Sequence, residues 1–350
     1  MRTPPIFDGH NDLLLKLHRR VTDVEGVVSG YRGGHIDLPR ARRGGFAGGF
    51  FAVYVPGSIE EAEAADDLMR RPRYDVALPP AIGWSAAIAV VIDQIAWAHR
   101  LEAAGAVTIC RDAPALEEAI GGERMAAVLH MEGAEAIDAD FAALEVFHAA
   151  GLRSLGPVWS RPNAFGHGVP FRYPSTGDTG SGLTDLGKEL VRRCNALKIM
   201  LDVSHLNERG FDDLAAITDA PIVATHSNAH AVCPHARNLT DRQLERIRDS
   251  DGMVGLNFAA AFLRPDGRMD SDVGLDLILR QLDHLIGILG EDCVGFGSDF
   301  DGATVPDAIG DCAGLPALRR AMLAHGYGEE LMEKFCWRNW ARVLGKTWGG

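Results

Sequence analysis

A histidine and an aspartate stand two positions apart near the start of the chain, in Ile6-Phe7-Asp8-Gly9-His10-Asn11-Asp12. The apolar residues before them predict a strand over 5–9. Side chains two apart on a strand share a face, so His10 and Asp12 point the same way, about 7 Å apart along the chain. An imidazole and a carboxylate so placed can grip a divalent metal. Four more apolar runs end in Glu132, His205, His226 and Asp299. The runs ending in His205 and His226 are one βα unit apart, and adjacent parallel strands lie about 5 Å apart, so the two imidazoles can share an ion. With His10 and Asp12 there are ligands enough for two ions, and Glu132 has the chemistry to bridge them. Two ions separated by roughly 3.5–4 Å hold a water between them and lower its pKa, giving hydroxide at neutral pH. Asp299, in Gly297-Ser298-Asp299-Phe300-Asp301-Gly302, can take the proton of that attacking hydroxide and pass it to a leaving amine. Asp301 has the same parity, but Asp301-Gly302 reads as a turn.

These side chains need a scaffold that gathers strand ends. After strand one, a polar segment to about 43 reads as loop plus a short helix. Strand two is Gly44–Val55, aromatic and β-branched. Helices follow over 58–72 and 82–104; in the second, Ile88, Val91, Ile92 and Ile95 predict a core-facing stripe. Val107–Cys110 reads as an accessory strand. Then strands at 126–131, 152–159, 198–204, 221–225, 252–258 and 293–298 are mostly separated by helices at 141–150, 182–196, 208–218, 240–250 and 272–289. The segment 160–181 reads as a rim loop, and the remainder is helical. Eight strands alternating with helices predict a closed parallel (β/α)8 TIM barrel, an α/β fold whose functional groups lie at the carboxyl ends of the strands. An open doubly wound sheet is disfavoured, because no Gly-x-Gly-x-x-Gly follows strand one. The expectation is one barrel domain over 1–350 with a helical C-terminal extension.

Lys plus Arg number 35 against 48 Asp plus Glu, a net charge of −13. That balance argues against a nucleic-acid partner. No apolar run reaches the roughly 18 residues of a membrane helix. Six scattered cysteines form no Cys-x-x-Cys, and the chain enters strand one with no basic-then-apolar leader. Reduced thiols in a cytoplasmic protein are expected.

Taken together, Phe7–Asp12, Glu132-Gly133 with Ile137-Asp138, Ser181–Thr184, Asp202–His205, His226-Ser227 with Val232-Cys233 and Ala236–Asn238, and Val294–Gly302 cover the chain nearly end to end. In that order they resemble the membrane (renal) dipeptidase family of zinc metallopeptidases, a branch of the amidohydrolase-type barrels. The resemblance implies two zinc ions, one on His10 and Asp12, the other on His205 and His226, with Glu132 bridging. It makes Asp299 the proton shuttle, facing the substrate's free amine. Arg237 would grip the substrate carboxylate, a task suited to a guanidinium fork. It implies hydrolysis of dipeptides, including L-Xaa-D-Xaa, by a metal-bridged hydroxide. The alternative on the same site is hydrolysis of N-acyl D-amino acids or lactam amides. A homodimer would be common for such an enzyme.

Three positions depart from the family pattern. Trp159 stands where mammalian relatives carry an oxyanion-stabilising histidine, and an indole has a single N–H to offer. His230 or His167 is expected to substitute, His230 first, since His226 anchors its stretch. Phe262 replaces a tyrosine beside the carboxylate, and His130 replaces a small residue inside the barrel.

Overall fold

The computed structural model describes residues 4–349; positions 1–3 and 350, the ends of the expected domain, lie outside the described residues. Eight parallel strands form the barrel: β1 (Ile6–Asn11), β2 (Phe46–Tyr54), β3 (Met125–Glu132), β4 (Leu152–Gly156), β5 (Met200–Leu201), β6 (Val223–Ala224), β7 (Met253–Asn257) and β8 (Val294–Gly297). Their spatial order is β5-β4-β3-β2-β1-β8-β7-β6, with the accessory strand Val107–Ile109 paired to β3. A bridge between Asp202 and Val223 closes the ring between β5 and β6. The (β/α)8 barrel is therefore the fold. Strands buried on both faces read as apolar runs, and all eight residues of β3 are buried.

β5 and β6 have only two residues each, where seven and five were expected. At their carboxyl ends the cause is Asp202. Its carboxylate accepts the N–H groups of Ser204 and Thr225, each at 2.9 Å, so a side chain replaces ladder bonds just before both histidines. β4 stops at Gly156, which leaves Trp159 on the loop beyond it. The 160–181 segment carries structure of its own: Phe171–Tyr173 pairs antiparallel with Tyr74–Val76. In the helix Trp84–Ala103, Val91 and Ile95 are buried but Ile92 is 55% exposed. Ile92 sits about 100° around the helix from Val91, off the stripe.

The other end of the barrel is filled by the C-terminal helix Asn339–Trp348. Trp340 is fully buried, packs tilted against Phe50 with ring centroids 5.0 Å apart, and donates its indole N–H to the Phe296 carbonyl at 3.0 Å. Gly9 and Gly255 make the room: a Cβ at either would run into Trp340 and the Thr225 carbonyl. Among the described residues, no helix is long and apolar enough to cross a membrane.

Candidate active site

Six ligand-type side chains from five strand ends meet at the barrel mouth: His10, Asp12, Glu132, His205, His226 and Asp299. Glu132 Oε1 is the hub: it lies 3.1 Å from His205 Nε2, 3.4 Å from His226 Nε2 and 3.8 Å from His10 Nε2. His10 Nε2 also lies 3.4 Å from Asp12 Oδ2. The ligand atoms of His10, Asp12 and Asp299 form one tight group, and those of His10, Glu132 and His226 another. The ends of β1 and β8 are tied together, with Asp299 N donating to His10 O and Asp12 N to Phe300 O. His205 and Asp299 both sit in the left-handed region, with φ of 66° and 60°. Such backbone costs energy and concentrates where a side chain must be aimed.

The arrangement fits a metal. His205 Nε2 and His226 Nε2 face each other at 3.1 Å. Two nitrogens bound tetrahedrally to one zinc at about 2.0–2.1 Å stand roughly 3.3–3.4 Å apart. The tautomer of His226 follows from its neighbours. Thr225 Oγ1 lies 2.6 Å from Asp202 Oδ2 and 2.8 Å from His226 Nδ1. The carboxylate can only accept, so the single hydroxyl hydrogen goes to Asp202 and His226 Nδ1–H donates to the threonine oxygen. His226 Nε2 is left with a bare lone pair, the state a metal ligand requires. His205 Nδ1 is paired with Ser160 Oγ at 2.8 Å.

Electrostatics point the same way. Burial holds His205 and His226 far below the usual histidine range. Burial pushes Glu132 up to about 8, and Asp299 also rises. Burial pulls His10 down, but Glu132 and Asp12 outweigh it and raise His10 to about 10. Without a cation, this cluster takes protons to offset its carboxylates; a divalent ion answers the same demand.

A cavity of about 500 Å³ opens onto Asp12, Glu132, His205 and Asp299. Trp159, Phe171 and Phe262 are on its wall, Trp159 with its ring 5.8 Å from that of His205. Arg237 is buried behind Phe262, its guanidinium 5.9 Å from the ring. Its Nη atoms donate to Ser227 Oγ and the His226 carbonyl, and its Nε has no protein partner. His230 is not brought to the cluster: its Nε2 lies 2.9 Å from the Ser175 carbonyl, which turns the ring towards the rim. His167 faces the Gly182 carbonyl instead. Neither histidine lines the cavity onto which Glu132 and Asp299 open. Asp301 accepts the His35 N–H and so faces away from the site. His130 is fully buried, with Nδ1 2.8 Å from Ser154 Oγ.

Sequence reasoning passed over four supporting groups. Asn257, at the end of β7, donates to Asp299 Oδ2 at 2.9 Å. Ser160, Thr225 and Asp202 fix the two histidines. A polar residue closing an apolar strand was the available signal for Asn257, as an aspartate inside one was for Asp202.

The sequence profile of the membrane dipeptidase family, peptidase family M19, matches residues 1–348. This chain belongs to that family. Its reaction is accordingly the metal-dependent hydrolysis of dipeptides. Among solved structures, a metallo peptidase from Rhodobacter sphaeroides, liganded with a phosphinate mimic of the dipeptide L-Ala-D-Ala, superposes with a TM-score of 0.97. It is 55% identical, over 99% of this chain and 100% of that one. The structure described as dipeptidase AC gives the same TM-score and identity over 100% of both chains. An amidohydrolase from Pseudomonas aeruginosa is 21% identical, with a TM-score of 0.76 over 99% of this chain and 97% of its own, and shares the fold.

Proposed function

We propose that this dipeptidase works with two zinc ions, His10 and Asp12 holding one, His205 and His226 the other, and Glu132 bridging. The observation that carries this reading is the convergence of three imidazole Nε2 atoms on Glu132 Oε1 within 3.1–3.8 Å, beside Asp12. Histidine plus carboxylate ligands suit zinc. Bound there, zinc lowers the pKa of water and polarises the scissile carbonyl.

The chain's own residues do the rest. Arg237, with a free buried Nε–H, binds the substrate's carboxylate. Asp299, oriented by Asn257, faces the free amine. It takes a proton from the attacking water and delivers it to the departing nitrogen as the C–N bond breaks. Trp159, on the wall beside His205, is the N–H donor left for the developing oxyanion now that His230 and His167 are turned away. The L-Ala-D-Ala mimic held by the Rhodobacter sphaeroides relative supports L-Xaa-D-Xaa substrates. Six cysteines without a disulfide support a reducing, cytoplasmic setting. The contact of the C-terminal helix with the barrel floor supports one domain from end to end.

The test is hydrolysis of L-Xaa-L-Xaa, L-Xaa-D-Xaa and N-acetylated dipeptides side by side. Cleavage of the free dipeptides alone is expected. Cleavage of acetylated compounds alone would move the assignment to an N-acyl amino acid or lactam hydrolase.

A further inference from the structure

The cavity is larger than the reaction centre requires. Beyond Asp299 it continues into a chamber walled by Leu68, Met69, Val76, Pro79, Pro80 and Met269. None of these side chains carries a charge. Of the charged residues around it, Arg19 donates to the Gly57 carbonyl, Glu61 accepts the Ser58 N–H, and Asp66 sits at the exposed edge of the lid helix. The chamber is preformed. Its lid, the helix Ile59–Met69, is locked at its start by a reciprocal capping box between Ser58 and Glu61. Its rear wall is fixed by the hydrogen bond from Met269 N to Met69 O.

The chamber lies towards one end of the site. Asp12, Asp299, Gly302 and Ala303, from the β1 and β8 side, line the cavity together with Phe171 and Phe262, whereas Arg237 does not line it and is separated from it by Phe262. Given the reading in which Asp299 meets the amine and Arg237 the carboxylate, the side chain nearest the chamber belongs to the amino-terminal residue. We infer that this chamber receives the amino-terminal side chain of the dipeptide and selects large apolar ones, of the leucine, methionine and phenylalanine class. An alanine there leaves apolar wall facing water. A leucine or phenylalanine removes that wall from water, the main source of selectivity in such pockets.

The experiment compares kcat/KM across two series, L-Xaa-D-Ala and L-Ala-D-Xaa, with Xaa as Gly (achiral), Ala, Leu and Phe. In the first series Leu and Phe should exceed Ala by about tenfold or more. The second series should show no matching rise. Ala65→Trp, on the lid helix, should cut the Phe-to-Ala ratio of the first series by about tenfold. Leu68→Ala, which widens the chamber, should lower that ratio too and serves if the tryptophan variant does not fold. Hydrolysis with a flat first series, with the preference in the second series, or with ratios untouched by both variants, would overturn the inference and leave the dipeptidase reading standing. No hydrolysis of any free dipeptide would sink both.

Discussion

Thr225 and Asp299 show how the site divides its work. Thr225 touches no substrate in this scheme; it accepts from His226 Nδ1 and so keeps Nε2 available. Thr225→Val keeps the shape and removes that acceptor. Zinc affinity, followed by competition with a chelator, should fall about 10–100-fold. Asp299→Asn should leave zinc content unchanged and lower kcat by about 10²–10⁴, because an amide cannot carry the proton. Equal turnover in that variant would remove Asp299 from the mechanism. Much of this scale was readable beforehand: every proposed metal ligand lies at a strand end that the apolar runs marked. His230 was not, because proximity in sequence to His226 says nothing of where a loop ring points. The Ser175 carbonyl, 55 residues away, decided that.

At the scale of elements, strands and C-terminal helix depend on each other. Trp340 fills the end of the barrel opposite the site, against Phe50 and the Phe296 carbonyl. Trp340→Ala should cost about 3–5 kcal/mol in urea unfolding, through the cavity it leaves. Gly255→Ala should be harmful for a different reason. Its new Cβ meets the Thr225 carbonyl, so β6 must shift and carry His226 with it. We expect lower zinc affinity together with a loss of about 1–3 kcal/mol in stability. The alternation of strands and helices was legible from periodicity. The early stop of β5 and β6 was not, since it comes from one carboxylate, Asp202, taking backbone N–H groups at the ends of two different strands.

The whole molecule has a pH response that follows from its buried imidazoles. Burial pushes His235 down to about 3, and His35 and His130 to about 4. The unfolded chain takes up protons at these positions near the ordinary value of 6.5, while the folded chain does not. Their contribution to stability is therefore complete above 6.5 and is lost as the pH falls towards 3. Each can add a slope of up to about 1.4 kcal/mol per pH unit within that window. His235→Gln should flatten the dependence of unfolding free energy on pH between 6.5 and 4; an unchanged slope would show that His235 already titrates normally.

Sequence by itself determined the barrel and marked the proposed ligand set. Both are written in local patterns: apolar strands buried on two faces, each stopping at a residue with a lone pair to offer. It also carried the family resemblance, because its matching pieces fall in order along the chain. Only the tertiary structure decided which way each ring and carboxylate faces. It separated Asp299 from Asp301, turned His230 away, placed Trp159 on the cavity wall and set Arg237 behind Phe262. The physical reason is that these orientations come from hydrogen bonds and packing between residues far apart in the chain.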